Sequence, residues 1–317
     1  MGEWVWWILT CGLSLYLLKL LNEFKLPAQK LQEQIDNQET RRIDMGRRFE
    51  HAQQQIEEVK IRRDKLENDI GDHEERRKEV LPSANKRLMI HVSSGPFTMG
   101  GRDEGSPCNE RPAHTVFLSD YYISRYPVTN QEYREFVQCT GHRIPIHWQR
   151  STFPDDMGNH PVANVSWQDA DAFARWRGCH LPSEPEWEKA ARGTDERPYP
   201  WGQRFTEGER CNANNLVGTT TPVNEFPDGR SFYELWDMVG NVYEWCHDYY
   251  DDEYYKSSPD TNPKGPDGGE ERVVRGGCYI ESRAALRTTH REGVSEVTAR
   301  ETIGFRIAMG ADQTISD

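Results

Sequence analysis

The 317-residue sequence lacks the motifs that mark the common nucleotide-binding and zinc-binding proteins. It contains no Gly-x-Gly-x-x-Gly turn, no P-loop, no His-Glu-x-x-His helix and no paired Cys-x-x-Cys spacing. Basic residues number only 39 against 52 acidic ones, and this deficit of positive charge argues against a nucleic-acid binder. Seven cysteines are too few for a disulfide-built scaffold, so their number does not identify the redox compartment.

The residues that are present divide the chain into three regions, 1–21, 22–82 and 83–317. Residues 22–90 hold 15 acidic and 15 basic residues and are neutral, so the net charge of −13 belongs to residues 91–317. Ten Trp, 13 Tyr and 11 Phe are too many for a wholly disordered acidic chain, and they predict a packed core.

The first region contains the one long hydrophobic run, Trp4–Leu21, in which Lys19 is the only charged residue. A helix of this length rises about 1.5 Å per residue and is just long enough to cross a hydrocarbon layer of about 30 Å. A secretory signal requires a basic start and a small-residue cleavage site, and the sequence has neither. We therefore predict an uncleaved transmembrane anchor of a single-pass membrane protein; a buried core helix is the alternative.

The charges around this run predict its orientation. Lys19 lies near the end of the run and Lys25 and Lys30 follow it, whereas the only positive group before the run is the α-amino group. The positive-inside rule then places the C-terminal bulk of the chain in the cytoplasm. An extracytoplasmic domain is the alternative, because the six cysteines after the anchor could form disulfides there.

The second region has the spacing of a coiled coil. From residue 31 to residue 80 the seam positions alternate four and three residues apart, and ten of the fifteen are apolar. Pro82 ends the helix. We predict a stalk that self-associates and holds the third region away from the bilayer; a single solvated charged helix is the alternative. The seam positions are Leu31, Ile35, Gln38, Arg42, Met45, Phe49, Ala52, Ile56, Val59, Arg63, Leu66, Ile70, His73, Arg77 and Val80.

The third region consists of short segments separated by Gly, Pro, Asn and Asp. Cap residues indicate three helices and β-rich runs indicate three strands, and we expect the remainder to be loop. The predicted helices are Gln131–Cys139 with Asn130 as its cap, Trp167–Arg177 with Ser166, and a helix ending at Ala191 with the capping box Ser183–Glu186. The predicted strands are Arg87–Val92, His114–Leu118 and Arg272–Arg275.

A series of motifs in this region resembles, in the same order, the formylglycine-generating enzyme (sulfatase-modifying factor) family. The motifs are Gly95–Gly100, Glu110–Val116, Tyr126–Tyr133, His160–Trp167, Leu181–Arg192, Tyr199–Gly202, Asp237–Trp245, Arg272–Gly277 and Ile303–Arg306. The resemblance implies an α+β, variant C-type-lectin-like fold with little regular secondary structure. In this chain a transmembrane helix and a long coiled-coil helix would precede that domain.

The resemblance also implies an activity that this sequence does not support. The copper-dependent oxidases of the family use two cysteines, three and eight residues after the Ser of a Gly-Gly-Ser turn. Here the turn is Gly276-Gly277-Cys278, with Glu281 at the first cysteine position and Leu286 at the second. One thiol cannot supply a two-thiolate cuprous site, so we do not expect copper. A formylglycine-generating-type oxidase, or a related oxidoreductase with altered active residues, is the alternative function.

Cys278 itself has two interpretations. Arg275, Arg283 and Arg287 are close in sequence and would lower the pKa of the thiol if they faced it, making it reactive. Alternatively, Cys278 is a small buried residue that replaces Ser.

Asn214, Asn215, Asn241 and Glu244 resemble the family's structural calcium positions. Amide and carboxylate oxygens are ligands that calcium prefers, and a cation would restrain long loops. The alternative is that these side chains bond loop backbone without an ion.

We expect a non-catalytic binding or scaffold component of a membrane protein assembly, whose partners are other membrane or membrane-associated proteins. Recognition commonly resides in loops on a rigid fold. The expected ligand-binding residues are Tyr243, Trp245, Cys278, Tyr279, Arg283 and Arg287.

Overall fold

The computed structural model describes residues 41–63, 89–102, 105–148, 153–205 and 208–311, together with single positions before residue 41. The chain divides into two units, Met1–Lys78 and Glu79–Asp317. The predicted transmembrane segment Trp4–Leu21 lies outside the described residues, apart from Ser14 and Lys19. Among the residues that are described, no helix is both long enough and apolar enough to cross a bilayer.

In the first unit, residues 41–63 form one continuous helix, α1. Met45, Phe49, Ile56 and Val59, all on the predicted seam, have more than half of their surface exposed in the single chain. A second helix would have to cover this apolar row to remove it from water. Most of the remaining predicted coiled coil, 22–40 and 64–82, lies outside the described residues, so self-association stays a prediction.

In its described residues, the second unit contains three α-helices and nine short strands, as expected for an α+β fold with little regular structure. The helices are α2 (Asn130–Thr140), α3 (Trp167–Trp176) and α4 (Glu184–Arg192). The strands are β1 (Met89–Val92), β2 (Gly95–Met99), β3 (His114–Leu118), β4 (Tyr121–Ser124), β5 (Tyr243–Tyr249), β6 (Glu271–Arg275), β7 (Arg291–Ser295), β8 (Ile303–Gly304) and β9 (Ala308–Gly310).

Reciprocal capping boxes start all three of these helices. The caps of α3 and α4 are the predicted Ser166 and Ser183, each paired with an acidic residue three positions on. The predicted cap of α2 is wrong by one residue, because Thr129 rather than Asn130 accepts a hydrogen bond from the Glu132 N–H. Asn130 is instead buried within the helix, where its side chain donates to a loop carbonyl.

The strands form three small sheets, with orders β1-β4-β9, β2-β3 and β7-β6-β5-β8. All pairs are antiparallel except β5 with β8. The predicted strands are confirmed as β1, β3 and β6; β6 begins one residue earlier than predicted, and the first two residues of the predicted strand Arg87–Val92 lie outside the described residues. The central strand β5 was not predicted, because Glu244, His247 and Asp248 interrupt its apolar pattern.

Ion pairs of buried arginine and glutamate residues cross the core. Arg306 donates two hydrogen bonds to Glu244, at 2.6 and 2.8 Å, and both side chains are almost fully excluded from solvent. Arg291 binds Glu184 in the same two-bond manner at 2.7 and 2.9 Å. Such pairs are favourable only when geometry and further hydrogen bonds offset the loss of hydration.

Each pair joins elements that are distant in sequence. Glu184 and Glu188 lie on α4, and the fully buried Arg275 at the end of β6 contacts both. The β5 carboxylate of Glu244 also accepts a hydrogen bond from the α4 indole of Trp187, at 2.7 Å. Helix α4 is therefore held against the four-stranded sheet by charge as well as by apolar contact.

Replacing Arg306 by Met tests this arrangement, because it leaves the Glu244 carboxylate buried without its counter-charge. We expect Arg306→Met to lower the free energy of unfolding by about 3–5 kcal/mol. The double variant Glu244→Gln/Arg306→Met should lose clearly less free energy of unfolding, since it leaves no buried charge without a partner. Arg175→Met, which removes the exposed arginine of a surface pair with Asp171, is the control and should have little effect. Urea unfolding followed by tryptophan fluorescence measures all three; equal losses in the single and double variants would contradict the interpretation.

The exposed row of α1 generates a second prediction. Phe49→Asp/Ile56→Asp should reduce the oligomeric state of the full chain in detergent, because both side chains lie on the predicted seam. The matched control is Ile43→Asp/Ile61→Asp, which changes two equally exposed apolar residues that lie off the seam. Light scattering during size-exclusion chromatography gives the molecular mass, and an unchanged mass in the seam variant would refute the coiled coil.

Candidate functional site

The turn after β6 is built by two glycines in left-handed conformations. Gly276 and Gly277 have φ values of +93° and +70°, and a Cβ on Gly277 would lie 2.8 Å from the carbonyl oxygen of Ala285. Only glycine fits this close approach without strain. The turn directs the side chain of Cys278 into the aromatic core, where it is fully buried.

Burial raises the pKa of the Cys278 thiol to about 11, although backbone N–H groups of the same turn donate to the sulfur. The nearby arginines are bound elsewhere: Arg283 Nε donates to the Tyr199 hydroxyl at 2.9 Å, and Arg275 contacts Glu188. The interpretation of Cys278 as an arginine-activated thiol is therefore wrong. Proximity in sequence did not bring the guanidinium groups to the sulfur.

Tyr243 of β5 shares the environment of Cys278 and begins a chain of polar contacts. Its hydroxyl donates to Glu292 Oε1 at 2.9 Å, and His290 Nε2 lies 3.0 Å from the same oxygen. Burial disfavours the charged imidazole of His290, but hydrogen bonds with Glu110 and Glu292 outweigh that cost and raise its pKa. The imidazole is thus held between two carboxylates.

The last member of this series of polar contacts is Glu110, which lies on a short 3₁₀ turn far away in sequence. Arg287 donates to both of its oxygens, with Nη2 to Oε1 at 2.7 Å. Burial alone would raise the pKa of Glu110, but hydrogen bonds from His290 and Arg287 lower it to about 2. Sequence reasoning missed Glu110, His290 and Glu292 as a group; only the inclusion of Glu110 in a family motif pointed towards it.

The expected ligand-binding residues do not form one accessible surface. Trp245 is wrong as a surface residue: it is fully buried, and its indole N–H donates to the Val165 carbonyl at 3.0 Å. Tyr243 and Tyr279 are also mostly buried, and Arg287 is held by Glu110. Ile280 and Glu281 present accessible side chains at the tip of the turn, and Arg283 is accessible nearby.

The residues of the turn do not fit a copper site. Cys278 offers a single sulfur, and the accompanying Glu281 offers hard oxygen donors that do not suit a cuprous ion. All six cysteines that the structure describes are unpaired thiols. Within the described part of the chain, no three His, Cys, Asp or Glu side chains are grouped to hold a metal ion.

Asn241 and Glu244 do not fit a calcium site either. The Glu244 carboxylate is neutralised by Arg306 and accepts a further bond from Trp187. The Asn241 amide oxygen accepts from the Thr221 N–H at 2.9 Å, and its NH₂ donates to the Thr221 carbonyl at 3.0 Å. The negative charge that calcium requires is therefore already matched by a guanidinium group.

Asn214 and Asn215 support the turn through their backbone. Both have positive φ values, 53° and 55°. The N–H of Asn214 donates to the Glu281 carbonyl at 2.8 Å, and that of Asn215 donates to the Tyr279 carbonyl at 2.7 Å. The loop that follows residue 213 is thus joined to the tip of the Cys278 turn.

Residues 76–311 match the family described as Sulfatase-modifying factor enzyme 1-like domain. The chain belongs to this family. The match covers the second unit and agrees with the motif order, the short mixed elements and the glycine turn.

Similar proteins in this family differ in their named functions. The chain is 34% identical over 255 residues to the serine/threonine-protein kinase Pkn1 of Chlamydia caviae, covering 75% of this chain and 40% of Pkn1. It is 34% identical to the formylglycine-generating enzyme of Streptomyces coelicolor, covering 74% and 94%. It is 30% identical to the inactive C-alpha-formylglycine-generating enzyme 2 of Mus musculus, covering 75% and 90%. The chain therefore spans about 40% of the length of the Pkn1 relative.

The fold is also found among solved structures. PvdO from Pseudomonas aeruginosa superposes with a TM-score of 0.59 at 28% identity, covering 69% of this chain and 93% of PvdO. The fold of this chain is thus shared with proteins of several names, and the fold alone does not give the function.

The missing second thiol predicts the absence of formylglycine formation. With copper and a sulfatase-type cysteine peptide, we expect no oxygen consumption above background, because one buried thiol cannot hold the cuprous ion. An oxygen electrode and mass spectrometry of the peptide measure turnover. The Streptomyces coelicolor enzyme is the positive control, and Cys278→Ser should behave like the native chain. Aldehyde that appears with the native protein but not with Cys278→Ser would overturn this expectation.

Proposed function

We propose that the sulfatase-modifying-factor domain of this chain is a non-catalytic binding module of a membrane protein assembly. The observation that carries the proposal is the state of Cys278, a solitary and fully buried thiol whose pKa is raised to about 11. We therefore take Cys278 to be a packing residue of the core. The same turn projects an accessible tip, which is suited to contact another molecule.

The surface proposed for recognition is the tip formed by the Cys278 turn and the loop bonded to it. Ile280, Leu216 and Val217 each expose more than half of their side-chain surface. The backbone hydrogen bonds from Asn214 and Asn215 to the turn hold these two loops together. Exposed apolar residues on a rigid, hydrogen-bonded loop pair are typical of protein–protein contact sites.

The rest of the proposal concerns how this module is presented. The hydrophobic run Trp4–Leu21 would anchor the chain, and the lysines that follow it would place the domain on the cytoplasmic side. The apolar row of α1 would join copies of the chain into a stalk. A multivalent module gains avidity when several recognition surfaces act together.

The family relatives support a binding role without deciding it. One relative is named as an inactive member, while another of similar identity is named as an enzyme. The kinase activity in the name of Pkn1 is not part of the proposal, because the chain spans 40% of that protein.

Substitutions at the tip test the recognition surface. Ile280→Asp/Leu216→Asp should abolish recovery of partner proteins when the full chain is precipitated from solubilised membranes, because charges replace the apolar contact. The matched control is Phe117→Asp, an exposed apolar residue on β3. Quantitative mass spectrometry compares the recovered proteins. Recovery that is unchanged in the tip variant, or lost equally in the control, would refute this surface.

A further inference from the structure

A cavity of about 380 Å³ lies away from the Cys278 turn, between the start of α4, the strand β5 and the loop 262–264. Its walls include two imidazoles and one ammonium group, from His180, His247 and Lys264. Its volume is within the range of cavities that hold small molecules. None of its wall residues takes part in the proposed recognition surface.

Two of these groups come from backbone that is fixed by hydrogen bonds. His180 exchanges two backbone hydrogen bonds with Ala308 of β9, at 2.9 and 2.8 Å. The N–H of His247 donates to the Pro182 carbonyl at 2.9 Å, so β5 lies directly against the segment that precedes α4. Backbone hydrogen bonds to neighbouring segments therefore fix both histidines at the wall of the cavity.

Lys264, the third group, reaches the cavity because a glycine follows it in the loop. Gly265 has a φ of +77°, and a Cβ there would lie 2.7 Å from the Cβ of Asp248 on β5. A side chain at this position would push the loop away from the strand. The absence of one lets the preceding residue, Lys264, line the cavity beside His247.

His247 and Lys264 are available to a ligand. In the part of the chain that the structure describes, neither the ring nitrogens of His247 nor the ammonium of Lys264 has a hydrogen-bond or ion-pair partner. His180 is only loosely engaged, because its Nε2 lies 3.4 Å from Glu186 Oε2. Lys264 is exposed to solvent and His247 is half-buried, so a ligand that enters the cavity can accept hydrogen bonds from both.

Both burial and neighbouring charges act on His247, and Asp171 is the neighbour that favours its charged form. Burial lowers the pKa of His247, and the charges of Arg272, His180 and Lys264 lower it further. Arg272 is fixed nearby, since its Nη1 donates to the His247 carbonyl at 2.7 Å. Lys264 is the one lysine among the wall residues and supplies positive charge there, in a protein whose net charge is −13.

The neighbouring acids cancel this charge only in part. Glu186 accepts from the Ser183 N–H at 2.8 Å in its capping box, and Asp171 is paired with Arg175 at 2.8 Å. Burial raises the pKa of Asp248 well above its ordinary value, and its Oδ2 accepts from the Glu184 N–H at 2.9 Å. Glu186 is the one acid among the wall residues.

We propose that this cavity binds a small phosphate-bearing anion through Lys264 and His247, with His180 as a third donor. The oxygens of a phosphate point in tetrahedral directions and can meet donors that arrive from three separate segments. A carboxylate offers its acceptor sites on two oxygens in one plane and so matches donors from three directions less well. The hydrogen bond from the Lys264 ammonium to a phosphate oxygen is charge-assisted and is therefore among the strong ones, while His247 contributes an N–H donor.

Titration of the full chain with inorganic phosphate, by calorimetry in detergent near neutral pH, tests the proposal. Lys264→Ala should weaken phosphate binding about tenfold, as expected for loss of a charge-assisted hydrogen bond, and His247→Gln should weaken it by a smaller factor, because the imidazole is an uncharged donor. The control is Lys256→Ala, an exposed lysine outside the cavity that is paired with Glu253. Far-UV circular dichroism checks that each variant is folded.

The expected result is saturable phosphate binding by the native chain and by Lys256→Ala, with weaker binding by the two cavity variants. Failure of the native chain to bind phosphate would overturn the proposal. So would equal weakening in the Lys256→Ala control, or preferential binding of acetate over phosphate. These outcomes do not depend on whether the recognition surface at the Cys278 turn is correct.

Discussion

The burial of charged arginine and glutamate pairs is the constraint on which the rest of this domain depends. The sheets are small and much of the backbone is loop, so strand pairing restrains few segments. Arg275, Arg291 and Arg306 are nevertheless excluded from solvent, each against a carboxylate on α4 or β5. A buried charge that loses its partner costs several kcal/mol, so these pairs tolerate little displacement of the segments that carry them.

The same constraint decides which polar residues remain available for function. Glu244 and Arg275, which lie in motifs of the family, are paired within the core, and Arg287 is paired with Glu110. Polar side chains that are not paired in this way line the cavity beside β5. A residue type that suits a ligand is informative only when its hydrogen bonds are not already made within the protein.

Prediction from the sequence succeeded where the signal was local. Ser166 and Ser183 cap their helices as predicted, because a capping box involves residues only three positions apart. The ordered motifs predicted the family and the mixed fold. Strand β5 was missed because its polar residues look exposed in the sequence, yet Glu244 and Asp248 are buried by partners from distant segments.

Two properties follow from the amino-acid sequence alone: membership of the sulfatase-modifying-factor family, and a glycine turn that carries one cysteine where the oxidases need two. The tertiary structure decided the rest of the site. It turned Arg283 towards Tyr199 rather than towards Cys278, placed Trp245 inside the core, and gathered His180, His247 and Lys264 around one cavity. The reason is that a long side chain pairs with the nearest unmatched group in space, and that group lies 60 to 180 residues away in most of these contacts.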